Sequence, residues 1–203
     1  MHNSIRIVAL VVILIFNSRL VAQNVSMDPC EDLVNLSVAK ARAVLKSNTD
    51  QGIIASKVEC VAASIDRLGE GGDVQDIPLL VSYLGFARPS KPQDPTLPTM
   101  HPIPPEYGYP AIAALSQRGE PARAPLIAFI GEEADSLKRH NATFALLKIK
   151  TADPASAIIQ LKERGRGAQS DVASRFEDAI TFAKTTWPCK RNSISCEKAS
   201  SDK

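Results

Sequence analysis

Between Arg88 and Gly108 the chain places seven prolines, at positions 89, 92, 95, 98, 102, 104 and 105. Each lacks the amide donor that a continuous helix uses, and each biases the residue before it toward extended backbone, so no helix runs through the whole interval. Residues 88–108 therefore read as a proline-rich loop or linker, longer than the usual connection inside a compact domain, which suits either partner contact or simple connection. On both sides the sequence is written in helical period. An all-α chain is expected, with one helical region at 23–87 and another at 109–187.

In the first region, Asp28-Pro29-Cys30-Glu31 has the pattern of a helix start, and Leu33, Leu36 and Val44 give that helix an apolar side up to about Lys46. Ile54, Val58, Val61, Ile65 and Leu68 then recur at helical spacing until Gly69 and Gly71-Gly72. Asp73 can open a further helix that buries Ile77, Leu80, Val81 and Leu84. In the second region, Tyr109 to Leu115 forms a helix ending at the turn residue Gly119, and Glu120-Pro121 opens another that reaches Ile130. Pro125 either bends that element or delays its start. Asp135 precedes a stripe of Leu137, Asn141, Phe144 and Leu147, while Asp153-Pro154 precedes Ala157, Ile158 and Leu161. A last helix at about 171–186 carries Val172, Phe176, Ala179, Ile180 and Ala183, with Trp187 positioned to plug the end of the core.

These paired elements resemble the helical hairpins of the HEAT-repeat family over roughly residues 73–165. The matching units are Tyr109 to Leu115, Gly119 and Glu120 to Ile130, then Ala142 to Leu147 and Asp153-Pro154 to Leu161. Leu115 and Leu146 are 31 residues apart and Pro121 and Pro154 are 33 apart, although Lys150-Thr151-Ala152 stands where the first unit has Gly119. The resemblance implies a short α-solenoid of antiparallel helix pairs that presents a protein-binding surface.

The ends of the chain carry different information. Met1 to Arg6 is weakly basic, Ile7 to Phe16 is uninterrupted apolar sequence, and Leu20-Val21-Ala22 precedes Gln23. Residues 1–22 therefore resemble a secretory signal peptide, and retention would instead give a membrane-anchored precursor. Removing it takes Arg6 and Arg19 away and leaves 22 basic against 22 acidic residues, so no net charge favours nucleic acid. A secreted or periplasmic location follows as the expectation, and there the four cysteines, Cys30, Cys60, Cys189 and Cys196, can form disulfides. Cys30 with Cys60 and Cys189 with Cys196, the latter in a tail at 188–203, are one of three complete pairings, which the sequence leaves open.

Scans for chemistry return no dinucleotide fingerprint, phosphate loop, HExxH motif or EF-hand series, so no catalytic, cofactor or metal residue is assigned. Asn24, Asn35 and Asn141 open minimal N-glycosylation patterns. The favoured function is a noncatalytic exported interaction or scaffolding module with a protein partner. The alternative is a small helical enzyme or ligand-binding protein with a pocket near the proline-rich segment. His101, Glu106, Tyr107, Tyr109 and His140 are the polar candidates for either surface.

Overall fold

Side-chain oxygens start several helices of this chain. The Asp135 carboxylate accepts from the Lys138 amide at 3.1 Å, and Asp153 accepts from the Ala155 amide at 3.2 Å, so each satisfies a donor that has no partner within its helix. Asp73 and Asp76 cap each other reciprocally: Asp73 accepts from the Gln75 amide at 2.7 Å and Asp76 accepts from the Asp73 amide at 3.0 Å. The computed structural model describes residues 30, 33, 35–48, 57–88, 105–149 and 153–187. Among them the chain is all-α, without a strand: α1 (Val38–Asn48), α2 (Val58–Gly71), a 3₁₀ turn (Val74–Asp76), α3 (Ile77–Ser82), α4 (Pro105–Gly108), α5 (Pro110–Arg118), α6 (Glu120–Glu132), α7 (Ser136–Leu147), α8 (Pro154–Gly165) and α9 (Ser170–Thr186).

Packing follows a succession. α2 lies on α5, α5 on α7 and α7 on α9, while α1 covers α2, α3 bridges α5 and α6, α6 covers α7, and α8 covers α9. Buried residues from both predicted regions, from Leu36 to Ala183, enter one hydrophobic core. α2 and α5 approach closely at Gly69, where an added Cβ would stand 2.7 Å from the Ala114 backbone. That crossing explains why Gly69 lies inside α2, although sequence reasoning made it a stop; the helix continues to Gly71 because the missing side chain admits α5. At the α5–α6 turn, Gly119 takes φ 68°, a conformation that a side chain disfavours.

Several other expectations are corrected. Among the described residues the first helix begins at Val38, and Cys30, Leu33 and Asn35 lie outside it; Ser37 Oγ accepts from the Lys40 amide at 3.3 Å and caps it there, while Asp28 and Pro29 lie outside the described residues. Leu33 is 38% exposed. Leu137, in the first turn of α7, is 46% exposed instead of joining Asn141, Phe144 and Leu147 in the interior. Trp187 does not plug the core: it follows the last turn of α9 and is exposed. Pro125 does not delay the start of α6, which begins at Glu120 and runs through it, forgoing one backbone bond. The dominant neighbours of α6 and α8 are α7 and α9; α5 with α6 and α7 with α8 touch only slightly, so the expected pairing is displaced by one helix.

Part of the proline-rich interval is helical, since Pro105–Gly108 forms the single turn α4. The Arg88 amide donates to the Gly108 carbonyl at 2.7 Å, and Arg88 Nη2 donates to Asp66 at 2.6 Å. Arg88 and Gly108, at the two ends of the interval, are thus joined directly. The signal-like segment, His101, and Cys189 with Cys196 all lie outside the described residues. No described helix is long and apolar enough to cross a membrane.

Candidate functional site

The sequence-predicted residues have separate surroundings. Glu106, on α4, pairs through Oε1 with Lys148, whose ammonium also sits 5.5 Å from the centroid of the Phe144 ring. The other carboxylate oxygen of Glu106 is buried without a hydrogen-bond partner. Tyr107 is 67% exposed, whereas Tyr109 precedes the first turn of α5, without a side-chain capping bond, and packs on the core. His140 stands elsewhere, on α7, with its ring stacked on Phe182 at 4.3 Å between centroids and its Nε2 3.2 Å from Asp178. The structure therefore assembles Glu106 with Lys148 and His140 with Asp178, and does not join these two pairs.

Cys30 and Cys60 form a disulfide with 5.4 Å between their Cα atoms. Cys60 lies in the first turn of α2 and is buried, so the bond ties the segment before α1 to the start of α2. Of the glycosylation patterns, Asn141-Ala142-Thr143 is interior: Asn141 is 5% exposed and its amide donates to the Leu84 carbonyl at 2.7 Å. An amide committed in this way is closed to a glycan in the folded chain. Asn35 is exposed, and Asn24 lies outside the described residues.

Charged side chains recur where helices meet. Arg42 forks onto Asp76, with Nε at 2.5 Å and Nη2 at 2.9 Å, and joins α1 to the start of α3. The hydrogen bond from Arg42 holds the Asp76 carboxyl below its ordinary value, against the opposing effect of burial. Between α7 and α9, Asp178 accepts from Arg139 at 2.7 and 3.1 Å as well as meeting His140. Burial of Asp178 opposes its ionisation, yet the bonds and charges of Arg139 and His140 together outweigh it and lower its pKa. Arginines also cap helix ends: Arg118 donates to the Gly69 and Gly72 carbonyls, and Arg175 to those of Gly131 and Glu132. A cation at a helix carboxyl end satisfies open carbonyls and complements the dipole.

Clefts open onto the surface among the described residues. One, of about 490 Å³, lies between Leu33, Asn35, Leu36 and Ser37 and the α2 residues Ala63, Asp66, Arg67 and Glu70. Another, of about 430 Å³, lies between α6 and α8 and is lined by Arg123, Ala124, Ile127, Gln160, Glu163 and Arg164. Its distinctive member is Arg123, only 8% exposed. The Arg123 Nε lacks a hydrogen-bond partner; Glu120 approaches it to 2.8 Å as an ion pair, and Nη1 reaches Gln160 at a long 3.3 Å. Sequence reasoning passed over Arg123, although a signal was present: Arg123, Ile127 and Ile130 recur at helical spacing, so a cation occupies a place in an apolar stripe.

Among the described residues, no group of three or more histidines, cysteines, aspartates and glutamates has the spacing to hold a metal ion. Comparison of the chain with protein-family models, with curated proteins and with solved structures returns no match.

Proposed function

We propose that the chain is an exported, noncatalytic interaction or scaffolding module that uses a helical-repeat surface. The observation that carries this reading is the succession α2, α5, α7, α9, each packed on the next and most accompanied by a covering helix. Such nearest-neighbour packing suits a short solenoid of antiparallel pairs in the HEAT manner, with α1/α2, α6/α7 and α8/α9 as the hairpins. In this register the repeat begins one helix later than the sequence pattern suggests. Linear stacking leaves helix faces and the grooves between them as extended surface, which is the property an interaction module needs. The Cys30–Cys60 bond, beside the signal-like residues 1–22, supports an oxidising destination outside the cytoplasm.

The test is reconstitution. A candidate partner captured by the purified chain is itself purified, and the two are mixed and sized. A complex of fixed stoichiometry, weakened by charge reversal on α6 or α8, is the expected outcome. A purified chain that turns over a substrate and binds no protein overturns the proposal.

A further inference from the structure

The groove between α6 and α8 has a more definite chemistry than a generic helix surface. We infer that it binds the carboxylate of an acidic side chain presented by a partner peptide, with Arg123 as the anchoring group. The inference rests on the interaction-module reading and specifies one site and one ligand chemistry for it.

The groove exists because its two walls pack on other helices and scarcely on each other: α6 lies on α7 and α9, and α8 lies mainly on α9. Ala124 gives the α6 wall a small exposed apolar side chain, and Ile127, one turn beyond Arg123, reaches the lining only at its edge, being 7% exposed. Arg123 is the polar feature of this lining that protein contacts leave unfinished. Its side chain is 10% exposed, and a guanidinium so placed carries five N–H donors that need acceptors. Within the protein they meet Gln160 Oε1 at 3.3 Å, while Nε has no hydrogen bond. Glu120 supplies charge at 2.8 Å without satisfying Nε, and it is 61% exposed, so it is a counter-ion that water already reaches.

A carboxylate entering the groove can accept from the Nη groups of the guanidinium, since Nε itself is buried beside Glu120. Arg164 faces it from α8 and adds a second cation, and Gln160 adds an amide. Glu163 on the same wall, with Glu120 nearby, disfavours ligands of higher negative charge, which selects a single carboxylate over a phosphate dianion. The methylene stem of a glutamate side chain can lie against Ala124 and the edge of Ile127, which a small free acid covers less well. Both walls of the groove are helices, so its lining is side-chain surface against which a peptide can rest.

The experiment titrates the purified, disulfide-bonded chain with a blocked peptide bearing one internal glutamate, with its glutamine twin, with succinate and with inorganic phosphate. The Arg123 Nε–H resonance reports the site directly. The glutamate peptide is expected to shift that resonance and to bind at least tenfold more tightly than the other three probes. Arg123→Gln weakens peptide binding about ten- to a hundredfold, as expected for loss of a hydrogen-bonded charge pair. Glu120→Gln, an exposed change, strengthens it several-fold by removing the internal competitor, so the idea stays testable even where Arg123→Gln perturbs folding. Equal binding of the glutamine twin, or an affinity unmoved by Glu120→Gln, overturns the carboxylate site; succinate or phosphate binding as tightly as the peptide overturns the peptide source. Failure to find a natural partner leaves this titration unaffected, so the two readings fail separately.

Discussion

At the amino-terminal end of the core, α1 is held by a covalent bond close by and by one forked ion pair; at the carboxy-terminal end, α9 is held by Asp178 reaching Arg139 and His140. The helices differ in their neighbours. α1 has 11 residues and rests chiefly on α2, whereas α9 has 17 and packs on α6, α7 and α8. A helix supported from one side buries little apolar surface and gains from a cross-link, while one seated among three others is fixed mainly by packing. The expected consequence is that α1 responds to redox conditions and α9 to cavities.

The largest test is at α9. Phe176 is 5% exposed and its ring lies against Gly131 and Gly165, so Phe176→Ala removes a contact shared by three helices. A loss of about 3–5 kcal/mol in denaturant unfolding is expected. A loss below about 1 kcal/mol would show that packing does not fix this end.

Next in size is the disulfide. Closing the 30-residue separation between Cys30 and Cys60 contributes about 3–4 kcal/mol in the chain-entropy account. Cys30→Ala with Cys60→Ala should lower stability by that amount, and amide exchange should lose protection first in α1 and the start of α2. Equal early loss throughout α9 would break the contrast between the ends.

The smallest test is acid. Asp76 and Asp178 both have folded pKa values below the ordinary carboxylate value of about 4, so their contribution is present above that pH. It is lost as pH falls through their folded values, because the unfolded chain then binds protons more readily. Unfolding curves from pH 6 to pH 2 should therefore steepen below about pH 4. Asp178→Asn should flatten that acid limb, and an unchanged slope would remove Asp178 from the account. Exchange in α1 and α9 through the same range would then tell which end opens first.

The sequence carried the helices better than their partners. Val61, Ile65 and Leu68 recur at helical spacing and are fully buried, and Asp135 and Asp153 cap the helices they were expected to start. These are local properties of period and capping. Pairing is not local: the apolar stripes of α5, α6 and α7 read alike, and only the three-dimensional stacking places α6 on α7. The start of the first described helix is less legible, because Ser37, which caps it, competes in the sequence with the stronger start pattern of Asp28-Pro29. Arg123 was visible as a charge in an apolar stripe, but its unsatisfied Nε depends on the groove between two helices distant in sequence. His140 was singled out without Asp178 or Phe182, since its partners lie 38 and 42 residues further on.

The bond from the Arg88 amide to the Gly108 carbonyl gives the core a closed seam. Whatever is spliced between Arg88 and the start of α4 at Pro105 starts and finishes close to the same anchorage, so its length is uncoupled from the register of the helices. This position is accordingly a natural port for a fluorophore, an epitope or an entire inserted domain, with α2, α3 and α5 left in their original alignment.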